Sequence, residues 1–291
     1  MEWGPRRPAT ILITNDDGPP GPHSPFISAF VEMLCNQLPD SHIVVYLPSQ
    51  QQSWVSKKID RFGTVRLLTL RAAPDSYPEK RLETINNARW TIVEGSPATS
   101  VLLALTKLHP VQPDLIISGP NIGQNCGSSY ILSSGTVAGA LEGALQGIRS
   151  ISLSVSYREL PTDWTPYSSL ISSLCLTLGN VVAKLWRSWP DGLTGLLYNV
   201  NIGLDSRPDA QIRLCSALNE TYGLLFAKTN STESDDGSES YQFEKCCFMK
   251  EPAIGSDRRA INDGFISVTP FLPRLLEPIL PKMSIDAILT P

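Results

Sequence analysis

Ile11-Leu-Ile-Thr-Asn-Asp-Asp-Gly18 sets three apolar residues directly before a polar run that ends in glycine. The apolar triplet reads as a buried strand, and Asn-Asp-Asp-Gly as the turn that closes it. Adjacent strand residues point to opposite faces, so Asp16 and Asp17 share one centre only where the strand ends and turns. Gly18 supplies that freedom. Working outward, Ser24-Pro25 opens a helical stripe of Ile27, Phe30, Val31, Leu34 and Leu38, and Ile43 to Leu47 is a second β-rich run closed by Pro48.

The alternation continues. Val65 to Leu70 and Trp90 to Val93 read as strands. Ser96-Pro97 then caps a helix carrying Val101, Leu102, Leu105 and Leu108. Asp114 to Ser118 is again strand, Ser134 caps a helix over 136–146 that Gly147 ends, and Ile151 to Val155 follows as strand. Strands separated by such helices need crossovers, so the chain as far as Val155 predicts a mainly parallel sheet covered on both faces. Pro166 to Trp186 adds a helix and Leu196 to Ile202 a strand. Beyond these, 211–227 and 241–248 read as two arms of a long hairpin around the acidic stretch Ser231 to Ser240, and a short helix is expected near Leu272 to Leu280.

Composition narrows the function. With 24 Lys plus Arg against 28 Asp plus Glu, a net charge of -4 and 18% charged residues, the chain is neither a disordered polyelectrolyte nor a protein that coats phosphate backbones. No stable nucleic-acid or membrane partner is expected. No run approaches the ~20 apolar residues of a membrane span, and no secretory leader is read at the N-terminus. Six cysteines without C-x-x-C spacing read as reduced core thiols, which fits a cytoplasmic setting.

Ligands of an open α/β sheet bind beyond the carboxyl ends of the strands. The polar residues found there are Asp16 and Asp17, then Gln50 to Ser53, then Gly119-Pro120-Asn121 with Asn125, and Ser133-Ser134-Gly135-Thr136 at a helix start. All offer oxygens or amides. Two neighbouring carboxylates repel unless a hard divalent ion reconciles them, which makes Mg²⁺ or Mn²⁺ the natural candidate; an ordinary Asp-Gly turn would look the same. Ser134, Gly135 and Thr136 at a helix start suit a phosphate, or serve as a plain N-cap. There is no G-x-S-x-G elbow, P-loop or G-x-G-x-x-G after a strand, and of His23, His42 and His109 only His23 lies in a strand-end loop.

Taken in order, Ile11 to Gly18, Glu94-Gly-Ser-Pro-Ala-Thr99, Pro113-Asp-Leu-Ile-Ile-Ser-Gly-Pro-Asn121, Ser134-Gly-Thr136, Tyr198-Asn-Val-Asn-Ile202, and Asp257 with Gly264-Phe-Ile-Ser-Val-Thr-Pro270 resemble the SurE family of survival-protein nucleotidases. The likeness runs from about residue 9 to about residue 273. It implies a three-layer α/β/α sandwich with a Rossmann-like sheet, organised as a single domain over 1–291: a core over about 9–205, a protruding hairpin over about 206–255 and a closing segment over 256–291. It also implies a homodimer or homotetramer formed through the hairpin. By the same resemblance Asp16, Asp17, Ser53 and Asn121 hold the metal, with Asp16, Asp17 and Asn121 catalytic. Ser133, Ser134, Gly135 and Thr136 bind phosphate, with Asn15 and Asn125 beside them. The implied reaction is hydrolysis of nucleoside 5'- or 3'-monophosphates by a metal-activated water. Alternatives are a nucleotide-binding regulatory protein and a phosphatase for other esters or polyphosphate.

Pro22-His-Ser-Pro-Phe26 and the pair Ser53-Trp54 resemble the eukaryotic, especially fungal, branch, some of whose members join this module to a ligase-like domain. That branch typically has Arg before Ser-Trp. Here Gln52 stands there, which removes one cation from the phosphate's surroundings and leaves Lys57 and Lys58 as possible substitutes.

Overall fold

In the computed structural model, residues 2–69, 88–206, 209–229, 239–244 and 251–272 are described. The opening triplet lies within strand β1 (Thr10–Thr14), every residue of which is buried. β1 pairs in parallel with β2 (His42–Pro48) on one side and with β5 (Leu115–Ile122) on the other. β2 carries β4 (Ala88–Val93) in parallel, and the short β3 (Leu67–Thr69) closes that edge antiparallel. On the other side β6 (Arg149–Ser156) and β7 (Leu197–Gly203) continue the parallel set. β11 (Ile266–Phe271) then runs antiparallel to β7, with β8 (Ile212–Leu214) outermost and parallel to β11. The nine-stranded order is β3-β4-β2-β1-β5-β6-β7-β11-β8.

Strand alternation sends successive side chains into two separate cores. Ile11, Ile13, Ile43 and Val45 pack with α1 (Ile27–Gln37) and α5 (Ser168–Arg187), while Leu12, Val44 and Ile116 pack beneath α2 (Pro97–Leu108). α4 (Gly135–Leu145) lies beside α2 on that second face. The fold is therefore a three-layer α/β/α sandwich with a mainly parallel, Rossmann-like sheet. Each fully buried Leu, Ile or Phe contributes about 1.5–3 kcal/mol, and Phe26, Phe30 and Leu34 are among the largest fully buried side chains.

Several boundaries differ from the sequence reading. On α2 the buried residues include Ala98, Val101 and Ala104 beside Pro97, Thr99 and Ser100, and Leu102, Leu105 and Leu108 are only partly covered. The helix packs against α4, whose small residues let the two backbones approach, so small side chains face inward. β5 does not stop at Ser118 but runs on to Ile122 across a register shift between Ser118 and Asn121. A short helix α3 (Ser128–Ser133) fills what reads as a glycine-rich turn. Thr165–Tyr167 is a 3-10 turn, so α5 starts at Ser168, not Pro166. By length and composition α5 could cross a membrane, but 56% of its apolar window is buried in the fold, as in a core helix.

The long hairpin is the largest difference. Its first arm begins with β8, which belongs to the main sheet; only β9 (Phe226–Lys228) and β10 (Tyr241–Phe243) pair as an antiparallel ribbon among the described residues. Residues 245–248 of the second arm, most of the acidic tip and, of the helix expected near Leu272 to Leu280, residues 273–280 lie outside the described residues, as does Leu70. Cys35, Cys126, Cys175 and Cys215 are buried free thiols, and burial pushes Cys175 up to about 12.

Candidate active site

From β1 the chain goes to β2 and β4 on one side, then returns to β5, β6 and β7 on the other. The switch point falls between the carboxyl ends of β1 and β5, where such sheets bind ligands. Asp16 and Asp17 follow β1, and Asn121 is the penultimate residue of β5. Asn15 shapes the loop: its Nδ2 donates to the Gly18 carbonyl and to Ser24 Oγ at 2.8 Å each, and its Oδ1 accepts from Gly18 N at 3.1 Å. Gly18 has φ +84°, the freedom the turn requires. Asn15 spends its amide on this turn and does not line the cavity described below.

Asp16 is 3% and Asp17 4% exposed. Thr136 Oγ1 donates a short hydrogen bond to Asp16 Oδ1, and Ile122 N donates to Asp17 Oδ2 at 2.8 Å. Burial pushes Asp16 up to about 6, even though the Thr136 hydroxyl and the amides of Thr136 and Gly135 pull the other way. Burial and the charge of Asp16 together raise Asp17 well above the usual carboxylate range. The first amides of α4 thus face a carboxylate of the chain itself. Gly135 permits this closeness: a Cβ there would sit 2.8 Å from Asp16 Cβ and 2.9 Å from the Gln52 carbonyl.

A cavity of about 890 Å³ opens above this floor, lined among others by Asp16, Ser53, Asn121, Asn125, Ser133 and Ser134. Asn121 Nδ2 donates to the Gly123 carbonyl at 2.9 Å, which leaves its amide oxygen for a ligand. Ser53 Oγ is exposed and accepts from Gln51 Nε2 at 3.0 Å. Ser134 Oγ accepts from Val137 N at 3.1 Å, so its proton remains to donate. Asp17 and Thr136 lie beneath, outside the lining. Thr136, expected on the phosphate, is instead fully buried and bonded to Asp16. His23 is exposed and outside the lining, and Lys57 and Lys58 are paired with Glu142 and Asp60.

Among the described residues no group of three or more His, Cys, Asp or Glu is placed to hold a metal. Two buried carboxylates that burial drives towards neutrality, with an amide oxygen and a hydroxyl nearby, fit a hard divalent cation that completes its shell with water.

Residues to which the sequence reading gave no role in the site complete the cavity. Arg158, just past the end of β6, is its one Lys or Arg among the described residues, and Trp54, Tyr130 and Phe243 form an aromatic side. Arg158 follows a strand end, the signal that would have found it. A second cavity of about 980 Å³ shares Gln124, Tyr157 and Arg158 with the first. The asparagines of the Asn199-Val-Asn201 strand also have a visible task. Asn125 N donates to Asn201 Oδ1 at 2.8 Å, and Asn199 Nδ2 donates to the Asn125 carbonyl at 2.7 Å. Asp257 is similar: its oxygens accept from Gly127 N, Leu218 N and Arg258 N, tying the Asn121–Gly127 loop to the segment that leads to β9.

Residues 11–223 match the family model described as Survival protein SurE. The chain is 33% identical to the 5'-nucleotidase SurE of Erythrobacter litoralis over 89% of this chain and 92% of that one. It is 31% identical to the probable tubulin--tyrosine ligase PBY1 of Saccharomyces cerevisiae over 89% of this chain, spanning only 40% of the yeast protein. The crystal structure of the SurE protein from Aquifex aeolicus superposes with a TM-score of 0.66 at 27% identity, covering 90% of this chain and 93% of that one.

Proposed function

The chain belongs to the SurE family, and on that premise we propose that it is a divalent-metal-dependent nucleotidase releasing phosphate from nucleoside 5'- or 3'-monophosphates. The observation that carries the reading is the buried pair Asp16 and Asp17 at the sheet's switch point, Asp16 lining a cavity together with Ser53 and Asn121 and Asp17 lying beneath it. Those four side chains would hold Mg²⁺ or Mn²⁺. When bound, such an ion supplies neutralisation of phosphate charge and acidity for the attacking water.

The chain's own groups do the rest. Thr136 and the amides at the start of α4 favour the ionised form of Asp16 and fix its orientation. Ile122 N does the same for Asp17. Ser134 donates its free hydroxyl proton to a phosphate oxygen, with Ser133 and Asn125 beside it. Arg158 supplies the cation that neither Gln52 nor the paired Lys57 and Lys58 provide. Either carboxylate can take the proton of the attacking water.

The test is phosphate release from nucleoside monophosphates, p-nitrophenyl phosphate and polyphosphate with Mg²⁺, Mn²⁺ or EDTA. Metal-dependent release from nucleotides supports the reading; equal release in EDTA, or none from any ester by folded protein, overturns it. Family resemblance supports a single domain and a homodimer or homotetramer formed through the β9–β10 region, where Leu224 is 93% and Phe226 61% exposed. Light scattering that finds a monomer at micromolar concentration removes that assembly.

A further inference from the structure

One side of the cavity is built from aromatic rings drawn from four distant stretches of chain. Trp54 comes from the loop after β2, Tyr130 from α3, Tyr222 from the segment before β9, and Phe243 from β10. Trp54 is their hub, with ring centroids 5.0 Å from Tyr222, 5.5 Å from Phe243 and 5.7 Å from Tyr130. Tyr130 and Tyr222 meet edge to face at 5.1 Å. Trp54, Tyr130 and Phe243 line the cavity and Tyr222 backs them, its hydroxyl donating to the Ser129 carbonyl.

Three features separate this wall from ordinary core packing. Trp54 remains 44% and Phe243 55% exposed, although a cluster that served only stability would bury its largest rings. Trp54 also holds φ +62°, a left-handed conformation that is uncommon for a bulky non-glycine residue. The loop is fastened into that shape: Gln52 N donates to the Asp16 carbonyl at 2.7 Å, Ser56 N to the Ser133 carbonyl at 2.8 Å, and Ser56 Oγ to the Leu132 carbonyl at 2.7 Å. The same fastening that sets the exposed indole on the cavity also ties it to the backbone of Asp16.

We propose that Trp54, backed by Tyr130, Tyr222 and Phe243, is a specificity-determining stacking surface that selects phosphoesters whose leaving group carries a planar heteroaromatic ring, the base of a mononucleotide. The proposal deepens the nucleotidase reading and rests on it for the phosphate end of the substrate. A cavity of about 890 Å³ has room for a phosphate over Asp16 and a base against Trp54 at once. Stacking reads a π-face without hydrogen-bond pattern, so the wall favours nucleotides over glycerol phosphates or polyphosphate with little discrimination among bases.

Trp54→Gly removes the ring, and glycine accepts the same φ, so the loop keeps its path; Trp54→Phe restores a smaller π-face. Two measurements separate this proposal from the premise beneath it. Adenosine binding by calorimetry in EDTA involves neither metal nor hydrolysis: the wild type binds, Trp54→Gly loses about tenfold or more in affinity, and Trp54→Phe recovers most of it. With metal, the ratio of kcat/KM for AMP over β-glycerophosphate falls by a similar factor in Trp54→Gly, chiefly through KM. No adenosine binding by the wild type, equal binding by Trp54→Gly, or an unchanged substrate ratio would overturn the proposal. Absence of any phosphate release by the wild type would overturn the nucleotidase reading instead, leaving adenosine binding to decide on the wall.

Discussion

Asp16 and Trp54 line the same cavity under opposite constraints. Asp16 is 3% exposed, follows a central strand, and is held by the Thr136 hydroxyl and the amides that open α4. Trp54 is 44% exposed on a loop, and its ring packs against Tyr130, Tyr222 and Phe243, whose positions depend on α3, the segment before β9 and β10. Geometry at the floor is fixed by the sheet and a helix start, whereas geometry at the wall is assembled from separate loops. Chemistry that must not shift is placed where backbone and burial determine it. Selection of the leaving group is placed where a single loop substitution can change it.

The strongest test of that contrast is Asp17→Asn, which keeps an acceptor for Ile122 N and removes one charge. Turnover of nucleoside monophosphate should fall by about a thousandfold while circular dichroism stays native; activity within tenfold of wild type would detach catalysis from the floor.

The same substitution should act in reverse on stability. A carboxyl whose folded pKa is raised favours the protonated form, so its contribution is fully present at acid pH and lost as pH rises through the folded value, about 6 for Asp16. At pH 7.5 in EDTA both carboxylates are therefore a burden on the fold. Asp17→Asn should raise the metal-free Tm, by roughly 2–4 °C for each kcal/mol of burial cost and repulsion it relieves in a chain of this size, and the gain should shrink when Mg²⁺ or Mn²⁺ is added. A lower Tm in EDTA would mean that the pair is not strained by its own charge.

At the wall and rim the effects should be smaller and confined to binding. Arg158→Ala should raise KM for nucleotide by about tenfold with kcat changed less, read from steady-state phosphate release at fixed ionic strength. An equal fall in kcat would move Arg158 from rim to floor.

The floor was legible in the sequence because its signals are local. Apolar triplets ended by Asp-Asp-Gly, and a Ser-Gly-Thr at a helix start, announce strand ends and caps within a few residues of each other. The parallel order followed from helix-length spacers. What could not be read is long-range. Thr136 looks like a phosphate ligand until the sheet brings Asp16 to it, 120 residues earlier in the chain. Asn199 and Asn201 look like strand residues until they hold Asn125. Ile212–Leu214 reads as a hairpin arm because its own three residues cannot show that β11, more than fifty residues later, pairs with it inside the main sheet. The aromatic wall needs four segments brought together, and none carries a periodic or turn signal of its own.

The central claim is that the buried floor is a divalent-cation site. Calorimetric titration of Mn²⁺ into metal-free protein at pH 7.5 tests it most directly, comparing wild type with Asp17→Asn and with Trp54→Gly. The account predicts one ion per chain for wild type and Trp54→Gly with similar affinity, and loss of that binding in Asp17→Asn. Equal Mn²⁺ binding by wild type and Asp17→Asn would contradict it.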